Sequence, residues 1–224
     1  MAGNDRTSLR LSGVRGGHGD AGILRIGAKT EMKLILIRHG LTEANEKHLY
    51  CGSTDLPLSE AGRLALTEKR ESGTLPEISG AVRVLTSGMI RCEETLACLF
   101  GDLPHETDAD FREMAFGAFE MRSYEEMKDD PDYQAWITGD NEANVTPGGE
   151  SGNLVKARVL SGLAQISRDG RDTLLVTHGG VIAHIMTALF PEEGKNRYEW
   201  QPKPGGGYEV TIDPAGKGTG WRAI

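Results

Sequence analysis

Leu34-Ile35-Leu36-Ile37-Arg38-His39-Gly40-Leu41-Thr42-Glu43-Ala44-Asn45 joins an apolar run to an abrupt Arg-His-Gly turn. Lys33 to Ile37 reads as a buried strand, being short, apolar and rich in isoleucine. In open α/β sheets, ligands sit just beyond the carboxyl ends of such strands. Here that place holds a cation, an imidazole and a glycine, and the glycine permits both a tight turn and close approach by a ligand. The pattern returns far downstream, where Thr173-Leu174-Leu175-Val176-Thr177 is followed by His178-Gly179-Gly180. Two histidines at two strand ends, each followed by glycine, point to a shared site rather than to core packing.

Working outward from these two strands, Ser59 can cap a helix running to about Ser72. Ala81 to Leu85 is strand-like, and Thr86-Ser87-Gly88 turns into a helix over Met89 to Phe100 that Gly101 stops. Asp110 to Glu120 is aromatic-rich and irregular. Ser123 and Glu126 have capping-box spacing for a short helix, and Pro131 opens another. After the Thr146-Pro147-Gly148-Gly149 turn, Glu150-Ser151 starts a long helix with an apolar stripe at Val155, Val159, Leu163 and Ile166, ended by Asp169-Gly170. A further helix is expected over Val181 to Phe190. Arg197 to Gln201 and Tyr208 to Ile212 are strand-like, with prolines between them suggesting a sheet edge. Strands alternating with helices predict an α/β fold with a mainly parallel sheet covered on both faces.

At 224 residues and 38% hydrophobic content, the chain suits one domain, or at most two. A net charge of −8 and a pI near 5.3 argue against nucleic-acid or membrane-surface partners. Cys51, Cys92 and Cys98 show no CxxC spacing and leave one thiol over in any disulfide scheme, which points to reduced thiols in the cytoplasm. Cys92 lies on an apolar stripe with Leu96, Leu99 and Phe100 and reads as a core residue. No apolar run approaches the ~18 residues of a membrane span. Residues 1–31 are rich in glycine and lack the apolar stretch of a signal peptide, so they are expected to form a disordered leader ahead of a domain over 32–224.

The expected pocket gathers Arg38, His39, Asn45, Arg91 and His178. Two guanidiniums offer planar forks suited to phosphate oxygens, and Asn45 adds a neutral donor from the first turn of a helix. A histidine among cations is held neutral, because neighbouring positive charge disfavours imidazolium. With one nitrogen tied to a backbone carbonyl near Gly40, the other nitrogen of His39 is free to attack phosphorus. The arginines and His178 would then stabilise charge on the equatorial oxygens.

These residues resemble a known family. Arg38-His39-Gly40-x-Thr42-x-x-Asn45 is similar to the signature of the histidine phosphatase (phosphoglycerate-mutase-like) superfamily. Gly52-x-x-Asp55-x-Pro57-Leu58 and Ser87-x-x-x-Arg91-x-x-x-Thr95 resemble its next segments. Glu113-x-x-Phe116-Gly117-x-Phe119-Glu120 looks like its proton-donor segment, and Pro147-Gly148-Gly149-Glu150-Ser151 and Thr177-His178-Gly179-Gly180 complete the order. The resemblance implies a three-layer α/β/α sandwich, a phosphohistidine at His39, and a phosphate pocket of Arg38, Asn45, Arg91 and His178. It also implies Glu113 as proton donor to the leaving oxygen, a poor acid among arginines until a phosphate dianion enters. Thr42, Ser87 and Gly179 are secondary, and Ser151 reads as a cap. No metal and no cofactor are expected; His178 and His184, six residues apart, make a poor metal pair. His48, His105 and His184 read as structural or surface residues.

Departures from the family pattern refine the expectation. Its mutases carry Arg and Tyr after the donor glutamate, where this chain has Met114 and Phe116. They also carry a basic pair in a longer insertion, whereas residues 121–150 hold only Arg122 and Lys128 against eight acids. Met121 replaces a glycine that commonly follows the Phe-Glu pair. The expected activity is therefore a metal-independent phosphomonoesterase acting on a small-molecule phosphate ester. The segment Tyr50 to Leu58 looks most like α-ribazole phosphatases of cobalamin assembly. The alternatives are a phosphoglycerate mutase, a broad-specificity sugar or amino-acid phosphatase, or a non-catalytic phosphate-binding protein. No oligomeric state is implied.

Overall fold

The computed structural model describes residues 31–78, 80 and 82–224. The leader expected over 1–31 lies outside them except for Glu31. The elements, in chain order, are β1 (Met32–Arg38), α1 (Glu43–Glu46), α2 (Glu60–Glu71), β2 (Arg83–Thr86), α3 (Ile90–Phe100) and β3 (Glu106–Thr107). After them come α4 (Tyr124–Met127), α5 (Pro131–Thr138), α6 (Gly152–Asp169), β4 (Thr173–Thr177), α7 (Gly179–Leu189), β5 (Gly207–Ile212) and β6 (Gly218–Ala223).

β1 and β4 are apolar on both faces because helices cover both sides of the sheet. Leu34 and Leu36 point into one core with Leu175, α6, α7 and the aromatic segment that follows β3. Ile35 and Ile37 point the other way, into a second core with Leu174, Val176, α2 and α3. The period-2 alternation of strand side chains thus feeds two helical layers at once, which makes the chain a three-layer α/β/α sandwich. Strand order is β3-β2-β4-β1-β5-β6. The β3-β2, β2-β4 and β4-β1 pairs are parallel, while β1-β5 and β5-β6 are antiparallel.

Most helix ends follow their local chemistry. Ser59 caps α2 and Ser151 caps α6 through their hydroxyls. Ser123 and Glu126 form the expected capping box on α4, and Pro131 occupies the first turn of α5. Three expectations need correction. β2 is displaced to Arg83–Thr86, where pairing with β4 begins at Arg83 opposite Thr173; Ala81 is outside the described residues. Arg197 to Gln201 is not a strand. Asn196 Oδ1 accepts from the Tyr198 amide at 2.9 Å, and Trp200 is buried against Tyr208 and Trp221, so the segment curls into turns around an aromatic anchor. β5 is not an edge strand either, because the Gly-rich segment Gly218–Ala223 adds β6 outside it.

Candidate active site

Parallel register brings the two histidines together. Arg38 stands opposite Thr177 in the β1-β4 pair, so the residue after each strand leaves the sheet at the same edge. The His39 amide donates to the Thr177 carbonyl at 2.9 Å, and the two imidazole rings lie 5.2 Å apart, edge to face. On the other side of β4, Thr86 pairs with Val176. That places Ser87 beside His178, with Oγ 2.9 Å from Nε2. Three chain segments about 50 and 90 residues apart thus meet across β2, β4 and β1.

The His39 ring is held in one tautomer. Nδ1 lies 2.7 Å from the Gly40 carbonyl. A carbonyl only accepts, so Nδ1 carries the hydrogen and Nε2 keeps its lone pair. Burial, then the Arg91 charge, hold the ring neutral, with its pKa lowered to about 3; Arg38 adds to this and the Gly40 hydrogen bond opposes it. Loss of solvent, rather than the arginine charges expected from the sequence, is the larger cause.

Arg38 is mostly buried, and its Nη1 donates to the Pro202 carbonyl at 2.8 Å. Its Nε is buried with no hydrogen-bond partner among the described residues. Such a donor is costly to leave unmatched, and here it sits next to the candidate nucleophile. Asn45 Oδ1 accepts from the Thr42 amide and hydroxyl in a capping box on α1, which leaves the Asn45 amide hydrogens available. Thr42 is a cap, and α1 is a single turn, too short to add much dipole to an anion site.

Arg91 is fully buried and extensively engaged. Nη2 donates to the Gly52 carbonyl at 2.7 Å, Nη1 to the Thr54 carbonyl at 2.9 Å and Nε to His178 Nδ1 at 3.3 Å. Five N–H groups less these three leave two for a ligand. Because arginine only donates, His178 Nδ1 is an acceptor and its Nε2–H points to Ser87. Both nitrogens of His178 are therefore occupied, and burial, with Arg91 next, holds its ring neutral.

Glu113 reaches the same edge from the loop after β3. Its carboxylate accepts from the Met114 amide at 3.0 Å and the Gly180 amide at 3.1 Å, at the start of α7. The two glycines after His178 are needed for contact. A Cβ on Gly180 would stand 2.6 Å from Glu113 Oε1, and one on Gly179 would stand 3.1 Å from Arg38 Cζ. The Glu113 backbone is clamped by Arg158, which donates to the Asp110, Arg112 and Glu113 carbonyls and pairs with Glu150 at 2.9 Å.

A cavity of about 350 Å³ opens over Arg38, Asn45, Glu113 and Gly180. Its lining includes the mutually packed rings of Tyr50, Phe116 and Trp136 and the polar side chains of Asn141, His184, Arg197, Tyr198 and Gln201. The reading of His184 as a structural or surface residue is thus corrected, since α7 turns it toward the cavity; His105 does lie at the surface, against Glu93. Arg197 escaped notice inside the segment read as a strand, and it pairs with Glu142 at 2.5 Å. Its neighbour Asn141 accepts from Arg197 Nη2 at 3.1 Å. Met121 adopts φ 58°, the left-handed region that favours glycine, so the substitution noted in the sequence strains the backbone there. Among the described residues, no group of three or more His, Cys, Asp or Glu side chains could hold a metal ion.

Comparison with known proteins agrees with this architecture. The model of the histidine phosphatase superfamily (branch 1) matches residues 34–219. An adenosylcobalamin/alpha-ribazole phosphatase of Salmonella typhimurium is 29% identical over 180 residues, covering 78% of this chain and 87% of that protein. The crystal structure of the alpha-ribazole phosphatase from Shigella flexneri superposes with a TM-score of 0.71 at 26% identity, over 81% of this chain and 91% of that one. That of phosphoglycerate mutase from Thermus thermophilus gives 0.64 at 28% identity, over 86% and 99%. The matched span begins inside β1 and ends inside β6, enclosing both histidine strand ends and the segment that carries Glu113. The chain belongs to the histidine phosphatase superfamily, branch 1, and is a phosphatase.

Proposed function

We propose that the chain is a phosphomonoesterase that works through a phosphohistidine at His39, without a metal, on a small-molecule phosphate ester whose alcohol is uncharged or carries an aromatic group. The observation that carries this reading is the neutral, tautomer-locked His39 next to Arg38, whose Nε is unpartnered and which lines a cavity with Tyr50, Phe116 and Trp136. His39 Nε2 attacks phosphorus. The ester P–O bond breaks, and Glu113 gives its proton to the leaving oxygen. Water then attacks the phosphohistidine, Glu113 takes its proton, and the P–N bond breaks to release inorganic phosphate and free His39. Arg38, the two unused N–H groups of Arg91 and the Asn45 amide stabilise charge on the equatorial oxygens. His178 joins them if a phosphoryl oxygen replaces Ser87 at its Nε2–H.

Within this class, α-ribazole 5′-phosphate is the substrate we favour. Its benzimidazole suits the Tyr50, Phe116 and Trp136 rings, its ribose hydroxyls suit the polar lining side chains, and the cavity volume is within the range for a ligand of that size. The similarity to alpha-ribazole phosphatases supports the same reading. A mutase must grip a second acidic group. Arg197 is the one further cation among the described cavity residues, and Glu142 offsets its charge. The acidic composition and free thiols support a cytoplasmic enzyme.

The test measures phosphate released from α-ribazole 5′-phosphate, p-nitrophenyl phosphate and 3-phosphoglycerate, and mutase turnover with 2,3-bisphosphoglycerate. We expect kcat/KM to be highest for the ribazole ester. His39→Ala should leave under about 1% of activity, and the parent should yield an acid-labile, base-stable phosphoenzyme on rapid quench. Fast phosphoglycerate interconversion with little phosphate release would replace the phosphatase by the mutase.

A further inference from the structure

Glu120 ends the segment that begins at Glu113. Its half-buried carboxylate is the acceptor of an unusually dense set of hydrogen bonds. The amides of Gly52, Ser53 and Thr54 reach it at 3.0, 2.8 and 3.3 Å, and the hydroxyls of Ser53 and Thr54 at 3.0 and 2.8 Å. The Phe116 amide adds another at 2.9 Å. Burial would raise the Glu120 carboxyl, but the bonds from Phe116, Thr54, Ser53 and Gly52 outweigh it and hold the group below its ordinary value.

The same peptide segment faces Arg91 with its other side. Gly52 and Thr54 turn their amide hydrogens to Glu120 and their carbonyl oxygens to the Arg91 guanidinium, at 2.7 and 2.9 Å. Only glycine allows this approach, because a Cβ on Gly52 would stand 1.6 Å from the Met114 carbonyl and 3.0 Å from Glu120 Oε1. The loop is also pinned to α3, where Asp55 Oδ1 accepts from the Ile90 amide at 2.9 Å. The Gly52–Ser53 peptide group, whose carbonyl meets Arg91 while its Ser53 amide meets Glu120, is thus lined up between a guanidinium and a carboxylate, an arrangement in which each bond strengthens the next.

We propose that Glu120 is a positioning residue that aims the Arg91 guanidinium at the phosphoryl site through the Gly52–Ser53 peptide group and through Thr54. This rests on the reading above that Arg91 stabilises the phosphoryl group. Glu120→Gln replaces one acceptor by an NH2 that meets the loop's donors head on, so the loop and Arg91 must shift. A residue that merely stabilised the fold would act whether or not Arg91 was present.

The experiment is a double-mutant cycle on the full chain with Glu120→Gln and Arg91→Ala. It reads kcat/KM for p-nitrophenyl phosphate and the competitive inhibition constant of inorganic phosphate, with circular dichroism confirming the folded state. Glu120→Gln should lower kcat/KM about tenfold or more and weaken phosphate binding, yet change kcat/KM less than about twofold once Arg91 is alanine. The same fold-loss in both backgrounds overturns the positioning role while leaving the Arg91 reading intact. If Arg91→Ala alone leaves kcat/KM and phosphate inhibition unchanged, both fall together. Should Glu120→Gln not fold, Thr54→Val takes its place and removes a single hydroxyl bond. A loss of about threefold that vanishes without Arg91 supports the proposal, and one that persists overturns it.

Discussion

Acid should destabilise this protein through His39. In the folded chain burial, with Arg91 behind it, lowers the His39 pKa from 6.5 to about 3. The unfolded chain takes up a proton on this residue below pH 6.5, while the folded chain does not until about pH 3. The unfolded state therefore binds more protons in that window, so stability is full above pH 6.5 and is lost as pH falls toward 3. Linkage gives about 2 kcal/mol lost from this residue alone between pH 7 and pH 5. For a domain of this size that corresponds to a drop in melting temperature of roughly 4–8 °C. His178, lowered in the same direction, adds to the total. His105, raised beside Leu103 and Glu93, works against it. Those contributions cancel when the parent is compared with His39→Gln, which does not titrate there. The assay is calorimetric melting of both proteins at pH 7 and pH 5. The variant should lose several degrees less than the parent on acidification. Equal losses would show that His39 takes up its proton in the folded state as readily as in the unfolded one, and the neutral-nucleophile argument would fail.

Other outcomes are equally specific. Gly180→Ala puts a methyl group 2.6 Å from Glu113 Oε1, and the carboxylate must swing away. Turnover of alkyl phosphates should fall about tenfold or more, while p-nitrophenyl phosphate, whose leaving group needs little protonation, should suffer less; equal losses on both substrates would mean that Glu113 is not the donor. Activity should survive EDTA and be inhibited by vanadate, which mimics five-coordinate phosphorus; chelator inactivation rescued by magnesium or zinc would overturn the metal-free assignment. Phe116→Ala should raise KM for aromatic esters severalfold and leave that for small alkyl phosphates nearly unchanged, which steady-state kinetics on the two classes would check.

The parts whose cause is local can be read from the sequence. β1 and β4 were legible as apolar runs ending in His-Gly, and the ends of α2, α4, α5 and α6 in Ser59, Ser123, Pro131 and Ser151, because strand burial and helix capping act within a few residues. The sequence also nominated His39, Arg38, Arg91, Asn45, Glu113 and His178, since their motifs lie next to strand ends and glycines. How these groups use their hydrogen bonds depends on contacts between segments far apart in the chain. Parallel register set His39 beside His178, and a loop 39 residues before Arg91 took two of its donors. Glu120 found its partners about 67 residues away, and Arg158 clamped the Glu113 backbone from α6, 45 residues further along the chain. Arg197 and His184 entered the cavity because Trp200 anchors one segment and α7 rotates the other, neither of which leaves a periodic trace. β6 was missed because a Gly-rich strand carries little intrinsic preference and forms only when β5 offers its free edge. Local propensity names the candidates, whereas long-range pairing and burial assign each donor, acceptor and charge its partner.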